Sequence, residues 1–331
     1  MKKRNVTNNV GKTGLKWYVV NNFGLLMIGF MIIFGGLFAN NFFTVGNFQN
    51  LLSQIAINGI LTVGFSVVYI IDGFDLSQGN VLSACACVAL TTLNTTHNIL
   101  FTFLASMAVG IMFGFANGLI GKVIKSDGSD SYLVTLAMSL VALGFAYIYT
   151  KGLNIQCDST MTTYRNIARG KILGIPNTAI ILAVFLLVVH FILKRTAIGR
   201  KLYYVGANKK AAYMCGINAH NYRMYAFMFS GFCAAFAAIV MTARTGSANP
   251  MCGNNYETDA AIATIVGGNA PGDSKSGMLR ALFGILCLGL MRNIMNMMNV
   301  DANVQTVVKC ILLLIALYAL SIKQNWGGSS K

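Results

Sequence analysis

The side chains able to do chemistry are mostly uncharged amides and hydroxyls set inside apolar runs. Gln54, Asn58, Thr62 and Ser66 recur every four residues, with Tyr69 just beyond them. Steps of four keep side chains on nearly one face of a helix, so these residues form a polar stripe within a hydrophobic segment. Neutral hydrogen-bonding groups suit an uncharged, polyhydroxylated solute, whereas an ion path is more often ringed by charge. The same stripe can also hold helices together, and spacing alone leaves both readings open. Asn293 and Asn296 are three apart in the Met-rich stretch 291–299. They read either as a mouth for a hydroxylated ligand or as an interfacial helix end with Met as adaptable filler.

The acids number nine, one of them Glu. Asp72 and Asp75 close the striped segment, and an acid near membrane depth is costly and functional by default. Asp75 equally reads as a cap for the helix that follows. Glu257 and Asp259 are expected at an outer mouth after Pro250, either meeting basic residues of a partner or capping the next helix. No catalytic set is present. His97, His190 and His220 lack H-E-x-x-H spacing, and Gly11, Lys12 and Thr13 mimic the end of a phosphate loop whose first glycine is replaced by Val6. The eight cysteines include no C-x-x-C pair, so no metal site is signalled. A Cys157–Cys252 disulfide is conceivable in outer segments, but no spacing requires it.

The elements that position these groups follow from composition. Of 331 residues, 56% are hydrophobic and 10% charged, and the mean hydropathy is +0.63. About 25% charge is usual in a soluble domain, so an ordinary soluble enzyme is excluded. The net charge of +16 does not imply nucleic acid, because the basic residues lie between apolar stretches rather than on a polar face. An all-α polytopic membrane protein is expected, with about ten transmembrane helices near 17–39, 50–71, 79–93, 99–121, 131–150, 172–193, 223–244, 259–268, 277–298 and 303–322. The third and eighth are short and adjoin Gly-rich breaks, so they are read as half-helices or re-entrant pieces. With the N-terminus inside, 18 of the 25 Lys and Arg fall on the inner side, six on the outer and Lys309 within the last span. Both termini are therefore expected in the cytoplasm. Residues 1–16 and 323–331 become cytoplasmic tails of a single transmembrane domain, 17–322.

Two further patterns concern packing and partners. Gly110, Gly114 and Gly118 form a small-residue stripe that lets helix backbones approach closely. The inner segment 194–222 contains a short helix that Asn208 would cap and Gly216 would stop. It is either a docking surface for a soluble partner or a positively charged loop with a fortuitous helix.

Several stretches then resemble a known family. Gln54, Asn58 and Gly59 are similar to its polar second span, and Gly73-Phe74-Asp75-Leu76-Ser77-x-Gly79 resembles its G-[IF]-D-L-S-x-G motif. Gly199, Arg200, Tyr203, Val205, Gly206, Asn208, Lys209, Ala211, Ala212 and Gly216 follow in family order, as do Tyr256, Glu257, Asp259, Ala260 and the pair Gly267-Gly268. Asn293, Asn296, Val300, Gln305 and Lys309 match the final segment. The chain, over about 40–322, is thus similar to permease subunits of bacterial ABC importers for ribose, xylose, arabinose and galactose.

The resemblance implies a homodimer, or a heterodimer with a related permease, in the bacterial cytoplasmic membrane. It also implies two cytoplasmic ATPase subunits that carry ATP and Mg, and an extracytoplasmic sugar-binding protein. No cofactor is expected on this chain, and residues 199–217 become the element coupled to the ATPase. The sequence departs from the family at Asp72, Gln78, Asn80, the run 269–277, Arg292 and Ile294. Permeases for another small solute (an autoinducer furanose, a nucleoside, an amino acid) and an ATP-independent facilitator are the alternatives. An amino acid would need partners for its charged ends, which the stripe does not offer.

Overall fold

In the computed structural model, residues 23–124 and 130–328 are described. The expected tail 1–16 lies outside them. Among the described residues, seven helices are long and apolar enough to cross a membrane: α2 (Val45–Ile70), α4 (Ile99–Val123), α5 (Asp130–Thr150), α7 (Asn177–Arg195), α10 (Ala219–Thr245), α12 (Met278–Met297) and α13 (Ala302–Gly328). α1 (Phe23–Phe38) is apolar but shorter. α13 continues as a helix to Gly328, and the part of it apolar enough to cross a membrane is Ala302–Ser321.

These helices sort by side-chain size. α10 is rich in alanine, and Ala234, Ala235, Ala237, Ala238 and Ala243 are fully buried. It packs on α2, α4 and α3 (Gln78–Thr96) at the centre of the molecule. The glycine stripe makes the closest of these contacts. A Cβ on Gly110 would stand 2.4 Å from the Gly231 carbonyl oxygen, and one on Gly114 the same distance from that of Phe227. Without a hydrophobic force between helices in lipid, such backbone approach supplies the dispersion contact that holds them. The peripheral helices instead turn large apolar side chains outward, among them Ile148, Leu187 and Tyr318.

Of the two segments expected to be short, α11 (Tyr256–Val266) is, but α3 is not: it runs 19 residues, as many as α7, and only the break before it falls where expected. Residues 71–77 are non-helical between α2 and α3. α11 has 11 residues, about 16 Å at 1.5 Å per residue, half of the roughly 30 Å apolar layer. On one side of the bundle, strands β1 (Ile155–Gln156) and β4 (Ser247–Ala248) pair antiparallel around α6 (Thr162–Arg169), with hairpin β2 (Lys171–Ile172) and β3 (Ile175–Pro176) beside it. On the other, α8 (Ala197–Ala207) and α9 (Lys209–Met214) follow α7. All eight cysteines are free thiols, so Cys157 and Cys252 are not bonded.

Candidate functional site

The striped face of α2 meets α11, α12 and α13 around a narrow, water-sized cavity of about 20 Å³. Gln54, Asn58 and Thr62 line one wall, and Asp259, Arg292 and Lys309 the other. Asp259 sits on the first turn of the short helix α11 and is buried. Its Oδ1 accepts a 2.7 Å hydrogen bond from Lys309 Nζ, and its Oδ2 lies 3.7 Å from the Arg292 guanidinium. Asn58 Nδ2 reaches the same Oδ2 at 3.5 Å. The neutral stripe therefore faces two cations and one carboxylate.

This placement corrects several expectations. Asp259 stands on the cavity wall, because it lies one turn into its helix, past the exposed Asn254 and Asn255 that precede it. Glu257, expected beside it at the mouth, packs against Gly79 at the start of α3. Ser66 turns away from the cavity to hydrogen-bond Thr264 at 3.0 Å. Asn293 makes a reciprocal amide pair with Asn47, at 2.7 and 3.1 Å, and Asn296 Oδ1 accepts from Gln305 at 2.9 Å. These asparagines join helices and do not line the cavity.

Asp75 likewise lies away from it, at the helix break. Its Oδ1 accepts from the backbone N–H and hydroxyl of Ser77 at 3.0 and 2.6 Å, and its Oδ2 from the Ser230 hydroxyl. Asn117 donates to Ser77 Oγ and Gln78 to Ser230 Oγ. Both carboxylate oxygens are thus satisfied by protein, as a buried acid requires.

Lys309 and Arg292 were not among the residues singled out from sequence for the path. A lone cation within an apolar span is a legible signal, but its partner 50 residues away in sequence is not.

The second constellation lies at the end of α2 that carries Asp72. Asn208 caps α9 by accepting from Ala211 N at 3.0 Å, and Gly216 ends that turn with φ +74°. Ala212 is buried, whereas Tyr213 and Met214 are 76% and 88% exposed. Arg200 and Ala211 face outward, and Gly199 is buried against the end of α7. Gly206 abuts α2, where an added Cβ would stand 2.0 Å from the Ile70 carbonyl oxygen. Lys209 Nζ lies 3.7 Å from Asp72 Oδ2, which gives that acid a structural partner.

The loop between α11 and α12 is tied into the same region. Gly272 N donates to Ile70 O, Lys194 Nζ to Ser274 O, and Tyr203 Oη to Ser276 O at 2.6 Å. Burial, then the nearby Asp273 charge, pushes the Tyr203 phenol up to about 12, so it remains a donor. Arg280 closes the loop on Asp273 at 2.7 Å.

A bundle of apolar helices around a polar, partly charged interior defines an integral membrane permease. Residues 47–317 match the family described as the permease component of branched-chain amino acid transport systems, and the chain belongs to that family. It is 31% identical to the ribose import permease protein of Haemophilus influenzae over 88% of each chain. It is 28% identical to the D-allose transport system permease protein of Escherichia coli over 91% of each, and 26% identical to the L-arabinose ABC transporter permease protein of Azospirillum brasilense over 93% of this chain and 90% of that one. No solved structure matches. The family and the apolar helices together make the chain a multi-pass protein of the cytoplasmic membrane.

Proposed function

We propose that this chain is the membrane subunit of an ATP-driven importer of a monosaccharide or a close derivative. Two copies, or one copy and a related permease, enclose the path; cytoplasmic ATPase subunits drive it and an extracytoplasmic binding protein feeds it. Ten membrane-embedded helices, counting α3 and the shorter α1 and α11, leave both termini in the cytoplasm.

The observation that carries the reading is the cavity between α2, α11, α12 and α13, lined by Gln54, Asn58 and Thr62. The names of relatives that cover most of the chain add the sugar class.

Coupling runs through α11. Its first turn carries Asp259 at the cavity, and the loop after it is fastened to α2, α7 and α8 beside α9. A shift of α8 and α9 by the ATPase therefore moves α11, a rigid-body switch between two packings. Tyr213 and Met214 are the exposed apolar pair on α9 that such a partner covers.

Tyr213→Glu with Met214→Glu places charge in that contact without touching buried residues. Sugar uptake by proteoliposomes holding all subunits is expected to fall at least about tenfold, with the ATPase no longer co-purifying and the chain inserted normally. Gly206→Pro is expected to do the same by breaking α8. Uptake that persists in both, or that runs downhill through the chain alone, refutes the reading in favour of a facilitator.

A further inference from the structure

The last turn of α7 carries Lys194 and Arg195, and no acid occurs in the sequence between Asp158 and Glu257, so nothing on α7 or α8 offsets them. Lys194 Nζ donates to Ser274 O and Ser276 O at 2.9 and 3.3 Å, which brings the exposed Lys275 beside it. Arg280 repels the Lys194 charge, and the acid that attracts it, Asp273, is already paired with Arg280. Among the described residues, four cations thus gather around one carboxylate at this end of the bundle, and Arg195 and Lys275 are exposed.

The same cations stand at the end of an apolar groove of about 500 Å³ between α2, α7 and α12. Leu52, Leu182, Leu186 and Leu282 form its wall, and Leu187 and Leu279 are its exposed lips. The groove reaches Met278, next to Gly277, where an added Cβ would stand 3.5 Å from Lys194 Cε. His190 lines the groove one turn before Lys194, about 6 Å along the helix axis. Its Nδ1 is buried without a hydrogen-bond partner. A second groove of about 480 Å³, between α1, α2 and α12, shares Leu52 and Leu286 with the first and is lined by no charged residue. Hydrocarbon fills such clefts in a membrane, and a basic pocket at their cytoplasmic end selects the headgroup.

We propose that this groove binds one anionic phospholipid of the inner leaflet. An acyl chain lies along α2, α7 and α12, and the phosphate meets Lys194, Arg195 and Lys275. A glycerol ester carbonyl beneath the phosphate accepts from the His190 imidazole. A zwitterionic headgroup would bring a further cation into the cluster, so the charge favours a net-negative one. The headgroup then sits where α7, α8 and the loop after α11 are tied together. The inference goes beyond the importer reading and takes from it only which leaflet faces these cations.

In the test, the full chain in a neutral detergent is titrated with dioleoylphosphatidylglycerol or dioleoylphosphatidylcholine, and bound lipid is counted by native mass spectrometry. One phosphatidylglycerol is expected to bind about tenfold or more tighter than phosphatidylcholine, a preference that shrinks as salt is raised. Arg195→Gln with Lys275→Gln, both on exposed side chains, is expected to bring phosphatidylglycerol down to the phosphatidylcholine level. Ala183→Phe, which fills the groove, is expected to weaken both lipids. Lys151→Gln with Lys171→Gln removes the same charge from the opposite side of the bundle and is expected to change neither. Equal affinity for the two lipids in the wild type, or phosphatidylglycerol binding unchanged in Arg195→Gln with Lys275→Gln, overturns the proposal. An equal loss in both double variants shows attraction to net charge alone and overturns it as well. A dimer that carries no lipid and comes apart in Ala183→Phe gives the groove to a second copy instead. None of these readouts uses transport, so the importer reading stands or falls separately, on uptake.

Discussion

Asp259 is a single carboxylate shared by three elements, with α13 reaching it through Lys309, α12 through Arg292 and α2 through Asn58. The side chains of Asp259 and Lys309 are 6% and 12% exposed, so neither charge can retreat to water. Removing one partner of a buried pair costs about 3–5 kcal/mol, because the other is left uncompensated, whereas replacing both with apolar groups is often neutral. Lys309→Met is therefore expected to lower the melting temperature of the purified protein clearly. Asp259→Leu combined with Lys309→Met is expected to recover most of that loss while uptake stays abolished. A Lys309→Met protein that melts like wild type shows that the pair does not hold the fold. At this scale the sequence discloses half of the arrangement. Thr62 and Asn58 share a face with Gln54 by helical arithmetic alone. Asp259 looks like an ordinary cap, because nothing local says that Lys309 and Arg292 meet it.

The elements that break helical regularity need partners for their backbone, since irregular chain at membrane depth is tolerated only where protein covers it. For residues 71–77 the cover is a ladder of hydroxyls on α5. Ser131 Oγ accepts from Phe74 N at 3.0 Å, Thr135 Oγ1 accepts from Leu76 N at 3.1 Å, and Ser139 Oγ accepts from the Asn80 side chain at 2.8 Å. Those three residues are four apart, one face of one helix, and the spacing is as legible as the stripe on α2. It goes unread because a hydroxyl within a span also bonds its own helix, as Thr150 does to Ala146 O. Thr135→Val keeps the shape and orphans the Leu76 N–H, a loss of about 1–3 kcal/mol. A lower melting temperature is expected for Thr135→Val and little change for Thr150→Val, measured side by side in detergent. Equal effects mean that the break is not held by this ladder. The glycine stripe, by contrast, is fully legible, because small residues at i, i+4 and i+8 in a span have one dominant use.

For the whole molecule, charge and apolar surface divide the chain in two directions. Across the membrane, basic residues crowd the ends and loops expected inside, with 18 of the 25 there and six outside. Around the bundle, polar groups gather toward α2 and α10 while Ile148, Leu187 and Tyr318 face outward. Orientation is a property of the whole sequence, and the native cysteines can read it. Cys215 is exposed at the end of α9, in the region expected to face the cytoplasm, whereas Cys85, Cys87, Cys233 and Cys287 are buried. Cys310 is exposed on α13, an apolar span whose outer side lipid covers and shields from a polar reagent. With Cys157 and Cys252 changed to Ser, a membrane-impermeant maleimide is expected to label the chain at Cys215 in inside-out vesicles and to leave right-side-out vesicles unlabelled. Bound ATPase is expected to slow that labelling, because Cys215 adjoins the exposed Tyr213 and Met214. Labelling from the outer side would invert the topology, and α9 would then face the wrong compartment to meet an ATPase.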